Sequence, residues 1–242
     1  MKRLSLVLLI VIIGANFSLA QKGFRFGMKA APMFCWMKPD FSIGGISNFT
    51  AEGGGGKMGI AWGPMAEIQL NETFLISTGA DINYTSFRLK GTMKDDIGGD
   101  NIVNWEQKYK TRFIEIPVML KFRTKEIGYL SYFGLFGLGG GFLYSASTEF
   151  SRTYTSPVAN TTTISNDDSN KYVKGFRGSM LIGAGVEYSF SGNTALVGSL
   201  CFNNGIINML QNQENSPASD QFNSVKEKAI TNYMQLNIGI LF

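Results

Sequence analysis

Apolar and polar residues alternate with a period of two through most of the chain, most clearly at its end. Ile230, Asn232, Met234, Leu236, Ile238, Ile240 and Phe242 share one face of an extended segment, and Thr231, Tyr233, Gln235, Asn237, Gly239 and Leu241 share the other. Successive side chains of a strand point to opposite sides, so this spacing predicts a strand with one apolar face. Leu196, Gly198, Leu200 and Phe202 repeat the pattern against Ala195, Val197, Ser199 and Cys201. Phe176, Met180, Ile182, Val186, Tyr188 and Phe190 do so against Arg177, Ser179, Gly183, Gly185 and Glu187. Only Ser191, Gly192 and Asn193 separate these two segments, which is hairpin chemistry. Upstream, Met58, Ile60, Trp62, Ala66, Ile68 and Leu70 alternate with Lys57, Gly59, Ala61, Gly63, Glu67 and Gln69. Beyond a turn at Asn71 and Glu72, Phe74, Ile76, Ala80, Ile82 and Tyr84 oppose Ser77, Gly79, Asp81, Asn83 and Thr85. Segments 23–37, 109–123 and 130–147 complete a set of about eight strands, an even number as bacterial outer-membrane barrels require.

The connections alternate in length. They are short at 71–72, 124–129 and 191–193, and long and polar at roughly 38–56, 88–108, 148–171 and 204–228. No window after residue 20 is apolar for long enough to make a spanning helix. Hydrocarbon leaves no partner for a backbone amide, so strands that span it must pair on both sides and close. The expected architecture is therefore all-β: a closed antiparallel transmembrane β-barrel of about eight strands with four long extracellular loops. Aromatics near the strand ends predict two girdles. Phe24, Phe26, Phe74, Phe122, Tyr188, Phe190 and Phe242 form one, and Phe34, Trp36, Tyr84, Phe142, Tyr144 and Phe176 the other. Pro32, Pro64 and Pro117 fall inside predicted strands, and bulges near the rim are expected to absorb them. Gly139, Gly140 and Gly141 blur the alternation of 130–147, so its inward face stays unassigned.

The start of the chain differs. Lys2 and Arg3 precede an apolar run from Leu4 to Ile13 and a small-residue site at Ser18, Leu19 and Ala20, the pattern of a secretory signal peptide over 1–20. The barrel domain is then 21–242. Without Lys2 and Arg3, 20 Lys and Arg face 18 Asp and Glu, a net +2 that indicates no nucleic-acid partner. Cys35 and Cys201 permit one disulfide; the preferred reading is two small, buried, unbonded side chains.

Candidate chemistry is sparse. The chain has no His, which removes the usual general acid or base. Arg25, Lys29, Lys57, Lys121, Arg123 and Arg177 share the inward phase with Glu67, Asp81, Glu115 and Glu187. Buried ion pairing in a narrow polar lumen is therefore expected over a catalytic dyad, because side chains fill an eight-stranded interior. The run Gly53–Gly56 before Lys57 fails phosphate-loop spacing, and Gly137–Gly141 misses the dinucleotide pattern at Phe142. Asp95 with Asp96, and Asp167 with Asp168, lack the ligand spacing of a dedicated Ca²⁺ site. No catalytic, cofactor-binding or metal residue is assigned.

The segment Arg112-Phe113-Ile114-Glu115-Ile116-Pro117-Val118-Met119-Leu120-Lys121-Phe122, followed by a Gly-rich strand to Tyr144-Ser145-Ala146, resembles the PorT-like outer-membrane β-barrel family of Bacteroidetes. Phe26-Gly27-Met28-Lys29-Ala30 looks like its usual opening, although Ala31 and Pro32 depart from it. The resemblance implies an outer-membrane barrel, explains Pro117 as a family feature, and associates its name-giving member with protein secretion. It defines no catalytic residues. The function expected is a non-enzymatic surface-contact or envelope-assembly role; a small-solute porin or a soluble lipocalin-like binder are the alternatives. Expected partners are outer-membrane lipid, the barrel-assembly machinery, with Phe242 as its recognition signal, and envelope or secretion proteins. A monomer is expected.

Overall fold

The computed structural model describes residues 23–40, 42–43, 50–94, 102–154, 161–166, 173–191, 194–210, 225–226 and 228–242. The segment 1–20 expected to be a signal peptide, the acidic pairs 95–96 and 167–168, and the turn residues 192–193 lie outside these residues. Eight long strands make the wall: β1 (Phe24–Pro39), β2 (Lys57–Gln69), β3 (Phe74–Gly79, continued by Asp81–Lys94), β4 (Ile102–Arg123), β5 (Leu130–Tyr154), β6 (Phe176–Ser191), β7 (Thr194–Gly205) and β8 (Ala229–Leu241). Every one pairs antiparallel with two neighbours, in chain order, and β1 pairs with β8 to close the barrel. The closing pair runs to the last residue, where the Phe242 amide donates to the Phe26 carbonyl at 2.8 Å.

The predicted phases hold on the strands for which one was assigned. On β4 the outward run from Ile114 to Phe122 is apolar, with Val118 55% exposed, while Glu115 and Lys121 point inward. That run matches the roughly 9–11 residues a tilted spanning strand needs. A soluble lipocalin-like barrel would turn such residues inward. The aromatics pair at two levels: Phe26 with Phe242 and Phe74 with Phe122 at the short-turn end, Phe142 with Phe176 and Trp36 with Phe202 toward the other.

Three expectations change. The connections at 88–108 and 148–171 are partly wall: β3 runs to Lys94, β4 begins at Ile102, and β5 reaches Tyr154, where Thr161–Asn166 pairs with it. The prolines are absorbed without bulges. Pro64 and Pro117 flank β3 at Ala80 and Gly79; pairs to β2 are missing at Ala80 and Asp81 and pairs to β4 at Gly79 and Ala80, and both ladders resume in the same register. A proline has no N–H to give, so the strand is interrupted there, and the Ala80 amide still donates to the Pro64 carbonyl at 3.1 Å. Pro32 likewise leaves a gap on β1 opposite β8. The bulges that do occur lie at Arg112/Phe113 and Ser189/Ser191. Finally, the glycine-rich stretch of β5 has an inward face after all. Gly139 and Gly141 face the interior, and Tyr144 is the extra residue at the bulge, beyond which Ala146, Thr148 and Phe150 point in.

Candidate functional site in the barrel interior

The interior is layered along the axis. At the short-turn end Arg25 from β1 pairs with Glu67 of β2 at 2.6 Å and with Glu187 of β6. Lys121 of β4 bridges the same two carboxylates at 2.6 and 2.9 Å, and Arg123 reaches Glu187 at 3.3 Å. The Lys121 ammonium also lies over the Phe133 ring, 4.2 Å from its centre. Above this layer Lys29 pairs with Asp81 at 2.8 Å beside a cavity of about 30 Å³ that Ser199 and Asn237 help to line.

The third layer centres on Glu115. Arg177 donates to it at 2.9 Å, Ser179 at 2.7 Å, Asn83 at 2.8 Å and Asn203 at 3.1 Å, and the Tyr233 hydroxyl donates as well. Arg177 is held in turn by Thr231 at 3.1 Å and over the Tyr233 ring. Gly139 makes the space: a Cβ there would lie 2.6 Å from both a Glu115 oxygen and the Ser179 hydroxyl. Among the described residues of these three layers, five cations face four carboxylates, one positive charge in excess. In a low-dielectric interior such charges persist only when paired and hydrogen-bonded.

Of the sequence-assigned interior residues, Arg25, Lys29, Glu67, Asp81, Glu115, Lys121, Arg177 and Glu187 meet in these pairs. Lys57, the first residue of β2, is half-buried near the opposite mouth and forms no ion pair among the described residues. Tyr233, Asn203, Ser179 and Asn83 complete the Glu115 cluster without having been singled out; their inward phase was legible, but neutral side chains carry no charge sign by which to match them.

The fourth layer departs from the expected polar lumen. Met33, Met37, Phe87, Trp105, Tyr109, Phe113 and Phe150 pack into a buried apolar core, joined by Val173, Met209 and Leu210 from the connections between strands. An isolated bridge ties Val173 to Leu210, and the Met209 amide donates to the Ala229 carbonyl at 2.9 Å, so the β6–β7 and β7–β8 pairing continues past the strand ends and turns these side chains into the core. Cys35 lies in this core and Cys201 lower down, both buried and unbonded.

The chain matches the outer membrane protein beta-barrel domain family over residues 14–238. It belongs to that family. The outer-membrane barrel is also similar in fold to OprG of Pseudomonas aeruginosa, with 12% identity over 92% of this chain and 98% of that one, and a TM-score of 0.45. A major outer membrane protein of Thermus thermophilus gives 15% identity, 90% and 99% coverage and a TM-score of 0.36. Ail of Yersinia pestis, solved with the heparin analogue sucrose octasulfate, gives 13%, 91% and 99%, and 0.34. No curated protein matches the chain. The family places the barrel in the outer membrane.

Proposed function

We propose that this outer-membrane barrel works as a closed, non-conducting and non-enzymatic scaffold that presents an extracellular wall for surface contacts or envelope assembly. The filled interior carries this reading. Charged layers occupy the periplasmic half, an apolar core occupies the outer half, and the carboxylates are each held by a cation. A catalytic carboxylate needs access to substrate, and an ion path needs continuous water; neither fits this packing. The network is a structural seal in this reading.

The wall of β3, β4 and β5 supplies the contact surface. From Ile102 to Arg112, β4 stands above the apolar belt, on the order of 30 Å of strand at about 3.3 Å per residue. Its outward row is Asn104, Glu106, Lys108, Lys110 and Arg112. The likeness of 112–122 to PorT-like barrels favours an envelope or secretion assembly as the partner. Phe242, exposed on the closing strand, serves in this proposal as the signal read by the assembly machinery.

Planar-bilayer recording of refolded protein tests the closed barrel: no stable conductance steps are expected, and reproducible steps would overturn it. Crosslinking in intact envelopes, followed by purification, tests the assembly role; recovery of the barrel alone would count against it.

A further inference from the structure

We propose that a groove on the outer wall, at the top of the seam between β2 and β3, holds one phosphate-bearing lipid of the outer leaflet. The groove follows from a gap in the strand ladder. β2 and β3 pair at Trp62–Ile82, Ala61–Asn83 and Ile60–Tyr84, and the ladder stops there. Backbone contact with β3 resumes at Arg88, whose carbonyl accepts from the Gly54 amide at 2.8 Å, and at Leu89 and Lys90, which pair with Gly53 and Glu52. Between these points β3 has no ladder partner on that side, and a groove of about 460 Å³ opens.

Its lining is amphipathic in the direction of the membrane normal. Met58, Ile60 and Tyr84 form the apolar part, with Met58 69% exposed. Lys110 and Arg112 form the rim on the extracellular side. On β4 these two residues come immediately above Ile114, where the apolar belt ends. An occupant must therefore place hydrocarbon below and polar groups above, as a membrane lipid does and a soluble solute does not.

The charges specify the headgroup. Higher on the wall two of the cations are matched: Arg88 meets Glu106 at 3.2 Å and Lys108 meets Glu149 at 2.8 Å. Lys110 and Arg112 have no carboxylate partner among the described residues. Lys110 stands opposite Ser86 and Ser147, and Arg112 opposite Tyr84 and Ser145, all neutral. The Arg112 guanidinium is positioned over the Tyr84 ring, 5.5 Å from its centre, which fixes its place at the rim without neutralising it. Two adjacent cations with no ion pair of their own, Lys110 acting on Glu149 only at longer range than Lys108 does, suit a phosphate monoester, which offers several acceptor oxygens and more than one negative charge. Serine hydroxyls beside them can donate to the same oxygens.

Native mass spectrometry of refolded, detergent-solubilised protein tests this with bisphosphorylated lipid A as the probe. One retained lipid per barrel is expected, with retention roughly thirtyfold weaker for the dephosphorylated lipid, since each cation near a membrane anion contributes about 1 kcal/mol. The double variant Lys110→Gln, Arg112→Gln should lose a similar factor, while Lys108→Gln, whose cation is already paired, should retain the lipid. Millimolar inorganic phosphate should not displace it. Equal retention of the dephosphorylated lipid by the unaltered protein would overturn the proposal, as would undiminished binding by a correctly folded double variant. Displacement by inorganic phosphate would reduce the groove to an anion site and overturn the lipid assignment.

Discussion

Glu115 shows how much one position can depend on its surroundings. Its carboxylate takes hydrogen bonds from five side chains on four strands, and Arg177 alone supplies the opposite charge. Replacing Arg177 by Ala strands that charge, and the expected loss is about 3–5 kcal/mol in urea titrations of refolded protein. Changing both Glu115 and Arg177 to neutral side chains of similar volume should cost less than the single change. Outside the membrane, the hydrogen bond between Lys108 and Glu149 raises the ammonium pKa and lowers the carboxyl pKa. The carboxylate contribution is therefore present above its ordinary value of 4.5 and disappears as pH falls through the lowered one. The ammonium contribution is present below 10.5 and disappears as pH rises through the raised value. NMR titration of Glu149 should give a midpoint below 4.5 that returns toward it in Lys108→Gln.

At the scale of elements, β3 is the weak strand, because Pro64 and Pro117 lie on either side of its interruption. Gly63 is part of the same arrangement, since a Cβ there would fall 1.9 Å from the Ala80 carbonyl oxygen. Gly63→Ala therefore forces backbone to move, with an expected loss of about 1–3 kcal/mol in the same urea titration. The closing strand makes a separate prediction. Deleting Phe242 removes an outward aromatic and its backbone bonds to Phe26, so less heat-modifiable barrel should reach the outer membrane. An unchanged yield would remove the signal role proposed for it.

For the whole molecule, inside and outside exchange character at one height. Below Arg112 the outward residues of β4 are apolar and the inward ones include Glu115 and Lys121; above it Lys108 and Lys110 face out while Trp105 and Tyr109 face in. The surrounding solvent changes from hydrocarbon to water there, so the burial preference of each face reverses. If the apolar core seals the outer mouth, Trp105 fluorescence should be poorly quenched by iodide in refolded protein and readily quenched after unfolding. Equal quenching in both states would mean that the mouth is open.

A period of two fixed the faces of the strands from the residues alone, because alternation is a local consequence of backbone geometry. It also fixed closure, since no strand in lipid can leave an edge unpaired. The outer extension was written in the same alternation, Val103, Trp105, Tyr109 and Phe113 against charged neighbours, but its high polarity resembles that of a loop. Which carboxylate meets which cation, why Gly139 must be small, and where the β2–β3 ladder opens were decided only by tertiary structure. Those depend on the registers between strands distant in sequence, and register is set by the closed wall as a whole.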